Sequence, residues 1–162
     1  MNTGSNKSLS AKSASLGDGG FIVVKCPATV ANLVCGFDIL GMALEEPYDI
    51  MKVRLIAEPK VIITNKDNYN LPTEAEKNVA GVVFLSVMEK MNYQFGFEVE
   101  IKKQIKPGSG LGSSAASAAG AAVAANYLLG NCFSNEELVQ FAMHGEKLAS
   151  GVKHADNITP CI

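Results

Sequence analysis

Residues 107–117 read PGSGLGSSAAS and run on without a break into AAGAAVAANYLLG, ending at Gly130. No other stretch restricts the fold as much. Three glycines at alternate positions admit positive φ and carry no Cβ, so successive main-chain N–H groups can turn toward one point. The alanine run behind them predicts a helix over Ser114–Leu129, closed by Gly130 and slim enough to lie close against its neighbours. A helix that starts directly behind such a loop adds its free N–H groups and the positive end of its dipole. The combination suits a phosphate, and serines at the junction would donate to it or ligate Mg2+. The same residues also suit a plain turn into a tightly packed helix. Two familiar phosphate loops are excluded. The Gly-Lys-Ser/Thr ending of a P-loop is absent, and Ser113 stands where a G-x-G-x-x-G pattern needs glycine.

The chain has 162 residues, 48% of them apolar, which is enough for one domain-sized core and too little for two. A net charge of −2 with scattered basic residues argues against a nucleic-acid partner. The most apolar window, Ala115–Leu129, falls short of the ~20 residues a bilayer span requires, so no membrane association is expected. Cys26, Cys35, Cys132 and Cys161 form no C-x-x-C pair and no secretory segment precedes them, which fits reduced thiols in a cytoplasm. Residues 1–20, rich in Ser, Gly, Lys and Asn, predict a disordered tail outside the fold.

Along the remaining residues 21–162, Phe21–Cys26 is β-branched and apolar and predicts a first strand ending at Pro27. Pro27–Asp38 (PATVANLVCGFD) reads as a loop. Ile39–Leu44 and Tyr48–Ile56 predict strands broken at Pro47, with Lys60–Thr64 a further one. Glu74–Met91 carries apolar residues at helical spacing, and Phe97–Lys102 alternates as a strand with one wet face. Ser134 followed by Glu137 is a capping-box pattern that opens a helix to about Ser150, stopped by Gly151. Strands, helix, strand, helix, helix is the order of an α+β domain.

Three segments carry a family resemblance. Pro107, Gly110, Leu111, Gly112, Ser113, Ser114, Ala115 and Ala116 match throughout the P-x-x-x-G-L-G-S-S-A-A motif of the GHMP kinases. PATVANLVCGFD resembles the first motif of the homoserine-kinase branch through Pro27, Ala28, Ala31, Asn32, Leu33, Gly36, Phe37 and Asp38. It departs at Val34 and Cys35, where the family commonly has Gly-Pro. HADNITP, His154 to Pro160, resembles that branch's H-A-D-N-x-x-P signature. The resemblance implies a GHMP-kinase N-terminal domain, a βαβ sandwich like ribosomal protein S5 domain 2. It implies ATP-dependent phosphorylation of the L-homoserine hydroxyl to O-phospho-L-homoserine in threonine biosynthesis. The alternatives are a mevalonate- or sugar-type kinase of the same family, and a non-catalytic nucleotide-binding or assembly module.

By the same resemblance ATP is wrapped by Pro107, Gly108, Ser109, Gly110, Leu111, Gly112, Ser113, Ser114, Ala115, Ala116 and Ser117, and Mg2+ is held by Ser114 and Glu146. Homoserine is a zwitterion with a hydroxyl, so its pocket needs an anion for the ammonium and neutral hydrogen-bonding groups near the reacting oxygen. Asp38 suits the first task, Asn32 and Asn157 the second, and His154 is a further donor. Asn32 and Asn157 are the catalytic candidates. Each has a plainer reading, as turn chemistry for Asn32 and Asp38, or a solvated surface side chain for Glu146 and His154. Asp156 is given no catalytic part, only the orienting of Asn157 or His154. In the family a second domain follows the third segment, so the chain is expected to be an N-terminal portion, poorly active alone. An open sheet edge would favour a homodimer.

Overall fold

The computed structural model describes residues 15–16, 20–32, 40–151 and 155–162. Five strands, β1 (Ser15–Leu16), β2 (Ile22–Ala31), β3 (Gly41–Ile56), β4 (Val61–Asn65) and β5 (Gly96–Lys102), form one sheet in the order β1-β2-β3-β5-β4. All neighbours are antiparallel except β4 and β5, which run parallel. Parallel neighbours need a crossover, and α1 (Val79–Lys90) supplies it, making β4-α1-β5 a βαβ unit. Helices α2 (Ser113–Leu128) and α3 (Asn135–Ser150) follow.

Period-2 alternation decides which face of the sheet is dry. Ile22, Val24 and Cys26 of β2, Met51 and Val53 of β3, and Phe97, Val99 and Ile101 of β5 are buried. On the other face Arg54 pairs with Glu98 at 2.6 Å, half exposed. α2 lies against β2 and β3, and α1 and α3 pack on it in turn. Its alanines are buried on every side, because sheet, α1 and α3 enclose it. A methyl at Gly120 would meet Cys26 Sγ at 2.1 Å, so the helix sits about as close to the sheet as a helix can.

Four expectations are corrected. The first strand does not stop at Pro27 but continues to Ala31, so the start of the segment read as a loop is strand; Thr29, Val30 and Ala31 pair with Ala43, Met42 and Gly41. Tyr48–Ile56 and the segment before Pro47 are one strand. Between the pairs Pro27↔Tyr48 and Thr29↔Ala43, residues 44–47 bulge out of the ladder, so the missing N–H of Pro47 costs no hydrogen bond. The helix read over Glu74–Met91 is a 3-10 turn, Ala75–Lys77, followed by α1. Asn78 separates them with extended backbone, and its side chain accepts from the amides of Ala80 and Gly81 as the helix cap. Ser15–Leu16, read as tail, pairs with Val23 and Ile22. Among the described residues no helix is long and apolar enough to cross a membrane.

Candidate functional site

A cleft of about 480 Å³ opens where the loop after β5 meets the start of α2. Gly108, Gly110 and Gly112 adopt φ of 74°, 79° and 61°, the left-handed region that the alternate-glycine pattern was read to need. A Cβ at Gly108 or Gly110 would touch nothing, so those two glycines serve the backbone's path alone. Gly112 serves space as well: a Cβ there would lie 2.0 Å from Thr29 Oγ1. α2 begins at Gly112 with no side chain capping it. The first amides of a helix have no partner within it, so α2 presents its positive end to the cleft.

The serines divide their work. Ser113 donates its hydroxyl to the carbonyl of Ile105 at 3.0 Å and Ser117 donates to the carbonyl of Ser113 at 3.2 Å, both closing the start of α2. The Ser114 hydroxyl makes no hydrogen bond among the described residues, and Ser114 lines the cleft, as do Glu146 and Ala149 of α3. Across the cleft lie Leu71, Pro72, Asn78 and Val79.

Thr29, which sequence reasoning passed over, ties the three motif segments together. It is fully buried where the register of β2 against β3 shifts. Its amide donates to the carbonyl of Leu111 at 3.1 Å and its hydroxyl to Asn157 Oδ1 at 2.8 Å. Asn157 thereby faces Gly112 and the cleft, and Asp156 Oδ1 accepts its main-chain amide at 3.0 Å. Behind it, Cys161 donates to the carbonyls of Pro27 at 3.7 Å and Asn157 at 3.6 Å. Burial pushes its thiol up to about 12, so it packs as a protonated thiol and is no nucleophile.

The cleft thus brings together Pro107, Gly108, Gly110, Gly112, Ser113, Ser114, Ser117, Glu146 and Asn157 of the residues picked out from the sequence. Ala115 and Ala116 are buried behind the loop, Leu111 packs on the core, and Ser109 is exposed at the loop's tip. Asn32 is not among the lining residues. It stands exposed at the end of β2 with φ 61°, its amide donating to the Leu40 carbonyl at 3.1 Å. Asp38 and His154 lie outside the described residues.

Among the described residues no three His, Cys, Asp or Glu side chains gather to hold a metal ion. The Ser114 hydroxyl and Glu146 carboxylate, both lining the cleft, are the hard oxygen donors that Mg2+ accepts. Two protein oxygens suit a cation whose remaining ligands come from substrate phosphate and water. The donors therefore fit Mg2+.

Lys103 and Asp49 also went unread. Lys103 is buried on the cleft floor beside Asp49, its Nζ 2.5 Å from Oδ2. Alternation carried the signal: after Phe97, Val99 and Ile101 the next inward position is 103, and before Val53 and Met51 it is 49.

A model of the GHMP kinases N terminal domain matches residues 78–162. The homoserine kinase of Methanocella arvoryzae is 48% identical over 141 residues, 87% of this chain and 45% of that protein. That of Methanococcus maripaludis C5 is 45% identical over 142 residues, 87% of this chain and 47% of that protein. The crystal structure of homoserine kinase from Cytophaga hutchinsonii superposes with a TM-score of 0.80 at 42% identity, covering 96% of this chain and 48% of its own. Mevalonate kinase from Methanococcus jannaschii, at 20% identity and TM-score 0.66, shares the fold; 88% of this chain and 52% of that one are covered. The chain spans about half the length of these relatives.

Proposed function

Because the chain belongs to the GHMP kinase N-terminal domain family, we propose that its cleft holds the triphosphate of ATP and that the whole protein phosphorylates the hydroxyl of L-homoserine. One observation carries this reading: α2 starts uncapped behind three left-handed glycines, with its free amides opening into the cleft. Phosphoryl transfer needs positioning and charge stabilisation more than covalent chemistry, and that arrangement supplies both. Amides of the loop and of the first turn of α2 hold phosphate oxygens in place without rearranging. Ser114 and Glu146 would hold Mg2+, whose charge offsets that on the phosphates when bound.

Asn157 is fixed by Thr29 and faces the same space, so it is the group on hand to orient the acceptor hydroxyl. The new bond joins the homoserine oxygen to the γ-phosphorus, the bond from that phosphorus to the β–γ bridging oxygen breaks, and ADP and the hydroxyl proton leave. Asp156 is turned to the amide of Asn157, so no carboxylate is assigned as base. The product is O-phospho-L-homoserine, the step that leads to threonine. The 43–48% identity to homoserine kinases supports this acceptor over mevalonate or a sugar. ATP as substrate and the free state of Cys26, Cys132 and Cys161 fit a cytoplasmic enzyme. Edge strand β4, with Ile62 exposed on it, supports pairing of two copies.

Two assays test the proposal. Titration with MgATP is expected to show saturable binding that Ser114→Ala and Glu146→Gln weaken chiefly in the presence of Mg2+. Coupled ADP release, run at the relatives' full length with homoserine, mevalonate and galactose, is expected to respond to homoserine. Turnover with mevalonate or galactose instead would overturn the acceptor, and absence of MgATP binding would overturn the site.

A further inference from the structure

The steps above leave the Asp49–Lys103 ion pair unused, although it lies at the root of the glycine loop. Both side chains are 2% exposed. The Lys103 ammonium lies against Asp49 Oδ2 as an ion pair at 2.5 Å and donates to the carbonyl of Ser113 at 2.8 Å and to Ser117 Oγ at 2.9 Å. The other oxygen of Asp49 accepts the amides of Gln104 at 2.7 Å and Ile105 at 2.9 Å. Asp49 therefore grips the chain where it enters the loop, and Lys103 grips the helix where the chain leaves it.

Between those grips the loop has little of its own to define it. Gly108 and Gly110 have no side chains and open space around them; within residues 106–112 the Ser109 amide donates to the Lys106 carbonyl, and from outside the Thr29 amide holds the Leu111 carbonyl. Its shape is therefore set from outside, by Thr29 at Leu111, by the Ser113 hydroxyl on Ile105 and by the two grips at its ends. Stability alone is a poor reason for the pair, because two charges taken from water regain little that a well-packed apolar pair would not supply. The three inward neighbours preceding Lys103 on β5 are Phe97, Val99 and Ile101, so an apolar residue would continue that row.

We propose that Asp49 and Lys103 form a positioning pair that fixes both ends of the glycine loop and so keeps the amide end of α2 aimed into the cleft at phosphate. This rests on the nucleotide reading given above. The pair touches the main chain of the loop's flanks, and acts on phosphate through those amides. Asp49→Asn leaves an acceptor for Gln104 and Ile105 but strands the Lys103 charge. Asp49→Asn/Lys103→Met removes both charges and frees the Ser113 carbonyl and Ser117 hydroxyl from their grip.

The test compares wild type, both variants and Val83→Ala, a cavity in the core at α1 that lowers stability without touching the loop. MgADP affinity is measured at a temperature where circular dichroism shows each variant folded, and hydrogen exchange is followed at residues 104–117. The positioning pair predicts that Asp49→Asn and the double variant bind MgADP about tenfold or more weakly. It also predicts faster exchange confined to 104–117, while Val83→Ala keeps wild-type affinity. Folded variants that bind within about twofold of wild type and exchange as it does overturn the pair's role. If Asp49→Asn does not fold, the double variant decides on the same two readings. Wild type that does not bind MgADP would refute the nucleotide site itself, and exchange at 104–117 would still decide whether the pair holds the loop.

Discussion

Helices α2 and α3 are each 16 residues long and pack against one another, yet they begin in opposite ways. α3 is closed by its own sequence: Ser134 accepts the amide of Glu137 at 3.4 Å, and Glu137 Oε2 accepts the amide of Ser134 at 3.0 Å. α2 begins at a left-handed glycine with no side chain on its first amides. Each orphan amide costs free energy unless something satisfies it, and a side-chain cap commonly contributes about 1 kcal/mol. The end that faces water is finished, and the end that faces the cleft is open, which is the feature the proposed anion site rests on. That contrast within one helical layer supports the proposed site more directly than composition does.

The contrast can be broken by substitution, most severely at Gly112. Gly112→Ala puts a Cβ 2.0 Å from Thr29 Oγ1 at a φ of 61°, so a loss of about 2–4 kcal/mol is expected in chemical denaturation, with MgADP binding abolished. Thr29→Val keeps the shape but leaves Asn157 Oδ1 without its donor. A loss of about 1–2 kcal/mol and slower phosphoryl transfer are expected, with MgADP affinity less affected than turnover. Ser134→Ala removes the cap of α3 at a cost of about 1 kcal/mol and leaves MgADP affinity as it was; a change in affinity would mean that the two helix ends are not independent. Smallest of all, a thiol reagent followed by peptide mapping should label exposed Cys132 in the folded chain and spare Cys26 and Cys161, where burial raises both thiols.

Local signals account for what was legible in the sequence. The α2 boundaries, the capping box of α3 and the Gly151 stop rest on neighbouring residues, and the structure places them within about one residue. Pro27 and Pro47 misled because proline was read as ending a strand. A proline in a bulge loses no ladder bond, and only the partner strand reveals the bulge. Asn78 could have been read as a helix cap ahead of an apolar run, and Asp49 and Lys103 as inward positions by alternation. Thr29 could not: its partners, Leu111 and Asn157, lie far along the chain, and nothing local marks it.

The most direct measurement is a crystal structure of this chain with MgADP bound. Phosphate oxygens are expected within about 3 Å of main-chain nitrogens of Gly110, Gly112, Ser113 and Ser114, with the ion beside Ser114 and Glu146. A nucleotide bound elsewhere, with those amides facing only water, would contradict the account.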